Sequence, residues 1–437
     1  MIKTDNKPVF SKVLVVEEGL AAQDTAIGRS ARALLEELAS HEISVIPAIS
    51  FDDAMACIVS DTSVHAVLLS WELEGETGSD QRPALALLDE LSARHEGIPV
   101  FLMAKSSEHI RDITEDTMNK VSEFVWMLQD TADFIAGRVL AAVQRYREQL
   151  LPPFAAAMAK YARLREHSWS APGHQGGIGF TKLPVGRAFF DFYGENLFRT
   201  DMGIERGELG SLLDHTGPIG ESEAYAARVF GADRTYNVVG GTSESNRTIF
   251  QACVKEDDVV VCDRNCHKSI EQGLMLTGAL PVYMVPTRNR YGIIGPIHPE
   301  EMSPEVIKKK IADSPLASQA PDKDPRYAVL TNCTYDGMCY NAATAQDILG
   351  ESSPRVHFDE AWYAYARFNP IYEDHYAMRG NPDDHPEDGP TVFATHSTHK
   401  LLAALSQASY IHVRDGRDAI PHDRFNQSYM MHATTSP

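Results

Sequence analysis

Lys400 closes the segment Thr395–Lys400, THSTHK, in which hydroxyl and imidazole side chains stand directly before a lysine. A lysine that attacks a carbonyl group needs a lowered pKa, which burial or neighbouring positive charge supplies. Ser397 and His399 could donate hydrogen bonds to a phosphate beside this lysine. Most lysines lie at a solvated surface, so this segment needs support from others before it indicates catalysis.

A glycine-rich segment, Gly240–Asn246 (GGTSESN), follows a strand-like run and leads into the helix-like run Arg247–Cys253. Glycines let the backbone approach an anion closely, and a helix N-terminus offers free N–H groups to a phosphate. Thr242 and Ser243 are the candidate phosphate-binding residues. A simple turn with a Thr or Ser helix cap explains the segment equally well, and its spacing fits neither a P-loop nor a dinucleotide fingerprint.

Two further polar residues follow strand-like runs. Asp359 ends the run Arg355–Phe358, where a carboxylate could hold a cationic nitrogen such as that of a protonated pyridine, or could simply cap the strand. His267 follows another strand, and with Cys262 and Cys266 it could bind zinc. Because that spacing matches no standard zinc finger, we expect reduced, structural cysteines and no metal site.

The order of these elements is more specific than any one of them. A phosphate-binding turn, a histidine after a strand, an aspartate at a strand end and a Ser-x-His-Lys segment succeed one another along the chain. This is the order found in pyridoxal-phosphate enzymes of the aspartate-aminotransferase fold. The sequence therefore predicts that pyridoxal 5'-phosphate is the cofactor.

The first 150 residues must form a separate α/β unit. Apolar strand-like runs alternate with helical patterns over this stretch, which predicts a flavodoxin-like, doubly wound sheet. The unit also resembles a response-regulator receiver, but its third strand runs into Ser70, Trp71 and Glu72 without a phospho-accepting aspartate. We therefore expect an assembly role for it. The predicted strands are Val13–Val16, Ile43–Ile46, Ala66–Leu69, Val100–Met103 and Phe124–Leu128.

The remaining sequence predicts a linker and a larger α/β domain. Pro152 and Pro153 mark a boundary after a long helical pattern, so we assign residues 1–150 to the first domain and 151–190 to a linker. Residues 191–437 form the predicted large domain. Its candidate strands are Thr235–Val239, Asp258–Cys262, Pro281–Val285, Ala328–Leu330, Arg355–Phe358 and Val392–Ala394.

Composition excludes several classes of partner. Forty basic and 61 acidic residues give a net charge of −21, of which −12 lies in residues 1–150, so nucleic acid and anionic membranes are not expected partners. The sequence has no signal-peptide pattern and no apolar run of about 18 residues that could span a membrane. Six cysteines are too few for a disulfide framework. We expect a soluble, cytoplasmic protein.

Over essentially its whole length, the chain resembles the bacterial inducible ornithine/lysine/arginine decarboxylases, and within that family its arginine-specific, acid-induced members. The resemblance implies an N-terminal wing domain followed by a fold-type-I large domain. The segments that carry it are Ser170–Gly177, Phe198–Gly207, Ser211–Glu221, Asp263–Ala279, Thr331–Gly337, His357–Pro370, His396–Val413 and Tyr429–Pro437.

The resemblance also implies a role for each candidate residue. Lys400 would form the covalent aldimine with pyridoxal phosphate, Asp359 would pair with the pyridine nitrogen, and His267 would stack on the ring. Trp362 would line the pocket. The residues implied to hold the phosphate are Thr242, Ser243, Ser397, His399 and, from across a dimer interface, Thr434. Glu244 must then point away from the phosphate, which it would otherwise repel.

The implied reaction is decarboxylation of a basic amino acid, with consumption of one proton in each turnover, as suits acid resistance. Arginine to agmatine is preferred on overall similarity, and lysine or ornithine remain alternatives because the cofactor residues are shared. The resemblance implies a homodimer with a shared active site and a decamer of five dimers. The chain ends 37 residues after Lys400, so we expect missing C-terminal domains and, as the rival reading, an inert assembly protein that binds the cofactor without turnover.

Overall fold

The computed structural model describes residues 11–22, 24–75, 82–95, 97–106, 113–164, 172–203 and 207–432. The chain divides into two compact units, Met1–Leu151 and Pro152–Pro437. In the described ranges, no helix combines the length and the apolar character needed to cross a bilayer.

The first unit is a five-stranded parallel sheet in the order β2-β1-β3-β4-β5, flanked by helices. This is the flavodoxin-like strand order that the sequence predicts. Its strands are β1 (Lys12–Val16), β2 (Ser44–Ala48), β3 (Val64–Ser70), β4 (Val100–Ala104) and β5 (Glu123–Trp126). Its helices are α1 (Ala26–Ser40), α2 (Phe51–Ser60), α3 (Pro83–Arg94), α4 (Glu115–Asn119) and α5 (Ala132–Gln149).

Both faces of this sheet are buried, which explains why its strands read as continuous apolar runs. Successive side chains of β1 point to opposite faces. Leu14 and Val16 enter one hydrophobic cluster, whereas Val13 and Val15 enter the other. The prediction of a doubly wound sheet is confirmed.

The second unit contains a seven-stranded sheet in the order β6-β12-β11-β10-β9-β7-β8. Its strands are β6 (Arg234–Val238), β7 (Val259–Asp263), β8 (Leu280–Met284), β9 (Tyr327–Thr331), β10 (Arg355–Asp359), β11 (Thr391–His396) and β12 (Ser409–Arg414). The strand β12 pairs antiparallel with β11 and β6, whereas the other neighbours are parallel. Hydrophobic clusters cover the two faces of this sheet.

Eleven helices accompany this sheet in the described part of the second unit. They are α6 (Pro153–Leu164), α7 (Pro184–Tyr193), α8 (Glu195–Thr200), α9 (Gly217–Phe230), α10 (Thr242–Cys253), α11 (Lys268–Thr277), α12 (Pro299–Met302), α13 (Pro304–Asp313), α14 (Ala342–Ser352), α15 (Thr398–Leu401) and α16 (His422–His432). Within the stretch assigned to a linker, α6 packs against α8 and α9.

The strand ends that position the site meet at one edge of the sheet. The parallel register places Asp359 at the end of β10 beside Thr331 of β9 and Thr395 of β11. Because the carboxyl ends of parallel strands form a crevice, ligands bind there in open α/β sheets. The residues that follow these strands are therefore brought to one place, although they lie far apart in sequence.

Candidate functional site

A cavity of about 700 Å³ lies at this edge of the sheet. Eight of the nine residues predicted from the sequence line it, and the ninth, Thr434, lies outside the described residues. The lining residues are Gly240, Gly241, Thr242, Ser243, Asn265, Cys266, His267, Lys268, Thr331, Cys333, Thr334, Tyr335, Asp359, Ala361, Trp362, Ser397, His399, Lys400, Ser406 and Gln407.

One end of the cavity is the N-terminus of α10. Gly241, with a φ of 79°, turns the chain into the helix, and its carbonyl accepts the N–H groups of Glu244 and Ser245. The earlier N–H groups of the helix, those of Thr242 and Ser243, precede this first hydrogen-bonded turn. Backbone donors and a helix dipole are thus directed toward the cavity, which suits an anion.

Hydroxyl groups from three elements meet beside this helix end. Thr242 Oγ1 lies 2.7 Å from Ser397 Oγ and 3.0 Å from Ser409 Oγ. Ser409 Oγ also donates to the carbonyl of His396 over 2.8 Å and lies 2.8 Å from Ser245 Oγ. This hydrogen-bonded cluster joins α10, β12 and the segment that leads to Lys400, and it fixes the position of the Thr242 hydroxyl.

Glu244, the acidic residue in the first turn of α10, is not among the lining residues. Its carboxylate folds back against Gly240, so closely that a Cβ atom added at position 240 would overlap it. Burial raises the pKa of Glu244, while Arg247 and the Gly240 N–H oppose that rise. The absence of a side chain at position 240 leaves room for the Glu244 carboxylate in this position.

Asp359 is 3% exposed and lies at the floor of the cavity. Its Oδ2 accepts a hydrogen bond from Asn246 Nδ2 at 3.0 Å, and its Oδ1 accepts one from the Ala361 N–H at 3.2 Å. Burial raises the pKa of Asp359, against the hydrogen bonds from Asn246 and Ala361 and the nearby charges of His267 and Lys400. A cationic group placed here would stabilise the ionised carboxylate.

Lys400 is half-buried in α15, directly after β11. Its Nζ lies 4.5 Å from the centroid of the Trp362 ring, within the range of a cation–π contact. Burial lowers the pKa of Lys400, and the charge of Asp359 opposes this shift. A lowered pKa increases the neutral amine fraction, which is the form that attacks a carbonyl carbon.

His267 and His399 each use the Nδ1 atom of the ring in a hydrogen bond to the backbone. His267 caps α11: its Nδ1 accepts from the Ser269 N–H at 3.2 Å, so the neutral ring carries its proton on Nε2. His399 Nδ1 lies 2.8 Å from the Ala408 carbonyl oxygen, which requires a proton on Nδ1. His399 Nε2 therefore donates to an anion only when the ring is protonated.

Three polar residues of this site are not among the candidates predicted from the sequence. Asn246 lies four residues after Thr242, a spacing that puts both on one face of α10, so helical periodicity could have indicated it. Asp263 ends β7 and was named only as part of a motif. Ser409 lies on β12, a strand that the sequence analysis did not predict, so no local signal placed it here.

The metal alternative has no geometric support in the described part of the chain. No group of three or more His, Cys, Asp or Glu side chains comes together there in a way that could hold a metal ion. Cys262 is fully buried in β7, and burial raises its pKa and that of Cys266.

At the strand ends of this mixed sheet, a buried carboxylate, a half-buried lysine and an anion-binding helix end line one cavity. A family model for the major domain of Orn/Lys/Arg decarboxylases matches residues 152–437, and the model for the N-terminal domain of that family matches residues 26–146. The chain belongs to the Orn/Lys/Arg decarboxylase family, as the resemblance in sequence had indicated.

Individual relatives agree with this assignment. The biodegradative arginine decarboxylase of Escherichia coli K12 is 61% identical over 98% of this chain and 56% of its own length. Lysine decarboxylase LdcA of Pseudomonas aeruginosa PAO1 is 41% identical over 97% of this chain and 56% of its own length. A solved structure of lysine decarboxylase A from P. aeruginosa superposes with a TM-score of 0.85 at 40% identity, covering 99% of this chain and 57% of that one. The chain thus spans about half the length of the curated relatives it matches.

Proposed function

We propose that this chain forms the wing and cofactor-binding parts of a decarboxylase that converts L-arginine to agmatine and CO₂ with pyridoxal phosphate. The observation that carries the proposal is the single cavity in which Lys400, Asp359 and the N-terminus of α10 converge. The preference for arginine is supported by 61% identity to an arginine decarboxylase, against 41% and 38% to lysine decarboxylases.

The residues present fit the cofactor at each of its three functional groups. The N-terminus of α10 and the hydroxyls of Thr242, Ser243 and Ser397 suit a phosphate, and protonated His399 would add a charged donor. Asp359 suits a pyridinium nitrogen, and the ring of His267 suits stacking on the pyridine face. Lys400 supplies the amine for covalent attachment to the aldehyde carbon.

The chain's own groups supply binding, orientation and proton control. When bound, pyridoxal phosphate delocalises the negative charge that forms at the substrate Cα as CO₂ leaves. Asp359 would hold a proton on the ring nitrogen, because a buried carboxylate strongly favours a cationic partner. The amine of Lys400 would hold the cofactor before the substrate binds and after the product leaves. Protonation of Cα consumes one proton in each turnover.

Two measurements on the purified chain test this proposal. Borohydride reduction with bound pyridoxal phosphate should fix the cofactor to Lys400 and not to Lys268, the other lysine that lines the cavity. Lys400→Ala should abolish this labelling, whereas Lys268→Ala, the matched control, should retain it. Labelling of Lys268 in the wild-type chain would refute the site.

The second measurement is CO₂ release from carboxyl-labelled arginine, lysine and ornithine. We expect release from arginine in preference to the other two. Preferential release from lysine or ornithine would overturn the assignment of substrate. Labelling of Lys400 without any CO₂ release would show instead that this length of chain binds the cofactor without turnover.

We also propose that the chain forms a homodimer in which Thr434 of one protomer reaches the phosphate of the other, and that the wing domains join five dimers into a decamer. The charge of −12 on residues 1–150 supports acid-promoted assembly, because protonation relieves repulsion between wings. Sedimentation velocity at pH 5 should show larger species than at pH 8. An identical distribution at both pH values would contradict acid-promoted assembly.

A further inference from the structure

A short hairpin at the wall of the cavity places two cysteines opposite each other. Cys333 and Cys339 form an isolated antiparallel bridge that follows β9. A tight turn joins them, in which the Gly337 N–H donates to the Thr334 carbonyl over 3.0 Å. Gly337 has a φ of 78°, the left-handed conformation that glycine adopts without strain. The turn thus fixes which residues face each other.

The hydrogen bonds around this pair define its register. The Thr334 N–H donates to the Met338 carbonyl at 3.1 Å, and the Tyr340 N–H donates to the Asn332 carbonyl at 3.4 Å. Cys333 and Cys339 therefore form a non-hydrogen-bonded pair, in which Cα atoms lie about 4.5 Å apart and side chains are closest. That separation lies at the lower end of the range of roughly 4.4–6.8 Å spanned by disulfides. Both cysteines are free thiols, and the thiols of Cys333 and Cys339 donate to the carbonyls of Thr334 and Gly337, each over 3.7 Å.

The two thiols differ in their readiness to ionise. The neighbouring Cys333 thiol lowers the pKa of Cys339 to about 6, with help from the Tyr363 hydroxyl and His375 and against the effect of burial. The neighbouring Cys339 and burial raise the pKa of Cys333. Burial raises the pKa of the other four cysteines, Cys57, Cys253, Cys262 and Cys266, and all six lie in the described part of the chain. Cys339 is also partly exposed, as an attacking thiolate must be.

We propose that Cys333 and Cys339 are a redox modification site, at which hydrogen peroxide converts the two thiols into a reversible intramolecular disulfide. The Cys339 thiolate attacks one peroxide oxygen, so that an S–O bond forms, the O–O bond breaks and hydroxide leaves. Cys333 then loses its proton and attacks the oxidised sulfur, forming the S–S bond and releasing a second hydroxide. Two thiols are oxidised, and one peroxide is reduced to two waters.

The position of the pair connects its oxidation state with the cofactor cavity. Cys333, Thr334 and Tyr335 line the cavity, and the ring of Tyr335 meets the edge of Trp362 at a centroid distance of 5.4 Å. A disulfide between 333 and 339 would close the base of the turn that carries Tyr335. The modification would therefore act on a wall of the site and not on a distant surface.

Peptide mass measurement tests the proposal without relying on decarboxylase activity. The reduced full chain is treated with stoichiometric hydrogen peroxide at pH 7, alkylated with iodoacetamide and digested with trypsin. Residues 327–355 contain both cysteines, no other cysteine and no internal Lys or Arg. We expect this peptide to lose two hydrogen atoms, to resist alkylation and to become alkylated at both cysteines after dithiothreitol. Full alkylation of both cysteines after peroxide treatment, or oxidation without a cross-link, would overturn the proposal.

Two variants test which cysteine attacks the peroxide and which cysteine then forms the disulfide. In Cys339→Ser, Cys333 should remain a reduced thiol, whereas in Cys333→Ser, Cys339 should be oxidised without a cross-link. Cys266→Ser removes the other cysteine that lines the cavity with Cys333, and it should leave the disulfide unchanged. A pH series on the wild-type chain avoids any question of variant folding. Alkylation of Cys339 should reach half its maximal rate near pH 6, and a midpoint near the ordinary thiol value of about 8.5 would contradict its role as attacking thiolate.

Discussion

Asn246 Nδ2 donates to Asp359 Oδ2 at 3.0 Å and to Ser269 Oγ at 2.9 Å, so one amide nitrogen joins α10, α11 and β10. On its other side, Asn246 Oδ1 accepts from the Thr395 hydroxyl at 3.0 Å. All three partners of the amide are thus fixed by a side chain that is itself fully buried. Asn246 is a positioning residue that orients the Asp359 carboxylate toward the cavity.

Asn246→Ala should weaken cofactor binding, because Asp359 loses a hydrogen bond and gains freedom to rotate. A hydrogen bond to a charged group is worth about 1.5–3 kcal/mol, so we expect a rise in Kd of roughly tenfold or more. Fluorescence titration with pyridoxal phosphate measures it. Arg247→Ala, the next residue on the same helix, is the control and should leave Kd near the wild-type value.

A merely structural role for Asn246 would give a different result. If Asn246→Ala weakened binding of an analogue with carbon in place of the ring nitrogen as much as it weakened binding of pyridoxal phosphate, the loss would not run through Asp359. We expect the wild-type preference for the nitrogen-containing ring to shrink in the variant. An unchanged preference would contradict the positioning role.

Much of this arrangement could be predicted from local sequence. Each of the runs Asp258–Cys262 and Arg355–Phe358 is followed directly by an aspartate, and parallel strands bring such ends to one edge. Glycines before Thr242 indicated the turn at the start of α10. These signals are local, which is why the residues they identify line one cavity.

The rest of the site could not be predicted from local sequence, because it depends on contacts between residues distant in sequence. Ser409 bonds to Thr242 across 167 residues, and its strand β12 runs antiparallel between β6 and β11. Nothing in the local pattern around Ser409 indicates that insertion, since the strand contains polar residues such as His412, whose partners Thr235 and His396 lie on β6 and β11. Hydrogen-bond partners of this kind follow from the fold and not from periodicity.

The hydroxyl of Thr242 should strengthen binding of the cofactor's phosphate group and should not affect binding of the rest of the cofactor. Thr242→Val keeps the shape of the side chain but removes the donor, so it should weaken binding of pyridoxal phosphate roughly tenfold. Binding of pyridoxal, which has no phosphate, should change little. Comparison of the two dissociation constants isolates the effect on the phosphate.

Thr248→Val provides a matched control on the same helix. Thr248 is fully buried, and within the described residues its Oγ1 has no hydrogen-bond partner, so loss of this hydroxyl should leave both ligands unaffected. Equal weakening of pyridoxal and its phosphate ester by Thr242→Val would show that the substitution had disturbed the cavity in general.

A buried chain of hydrogen bonds runs from Glu360 through His396 and His412 to Thr235. Replacement of a single atom in it should lower the stability of the protein. Glu360 Oε2 accepts from His396 Nε2 at 3.0 Å, and His396 Nδ1 accepts from His412 Nε2 at 3.0 Å. His412 Nδ1 in turn accepts from the Thr235 hydroxyl at 2.7 Å. Burial lowers the pKa of His412 well below its usual value, so this ring stays neutral. Every proton in the chain therefore points toward Glu360.

Glu360→Gln should destabilise the protein despite its similar shape. Glu360 Oε1 accepts from Asn332 Nδ2 and from the Ala377 N–H, both at 2.7 Å, so the glutamine oxygen must remain there. Its NH₂ group would then face the N–H of His396, and the whole chain would have to reverse or lose a hydrogen bond. We expect a loss of about 1–3 kcal/mol in the free energy of unfolding, measured with urea. Exposed Glu351→Gln should have almost no effect.

Asp263 should make the free energy of unfolding decrease as the pH rises. Burial raises the pKa of Asp263 from 3.8 to about 7, against the stabilising N–H of Thr331 and with a contribution from the charge of Asp359. Between about pH 4 and pH 7, the unfolded chain has lost this proton, whereas the folded chain retains it. The folded state thus binds more protons, and the free energy of unfolding decreases with increasing pH across that window.

Asp263→Asn isolates this contribution, because the asparagine oxygen can still accept the Thr331 N–H at 3.3 Å and the residue cannot ionise. At pH 4 the variant should match the wild-type chain, and by pH 7 it should be more stable by up to about 4 kcal/mol, the equivalent of three pKa units. Urea unfolding of both chains at several pH values measures the difference. A difference that stays constant from pH 4 to pH 7 would show that Asp263 ionises with an ordinary pKa in the folded protein.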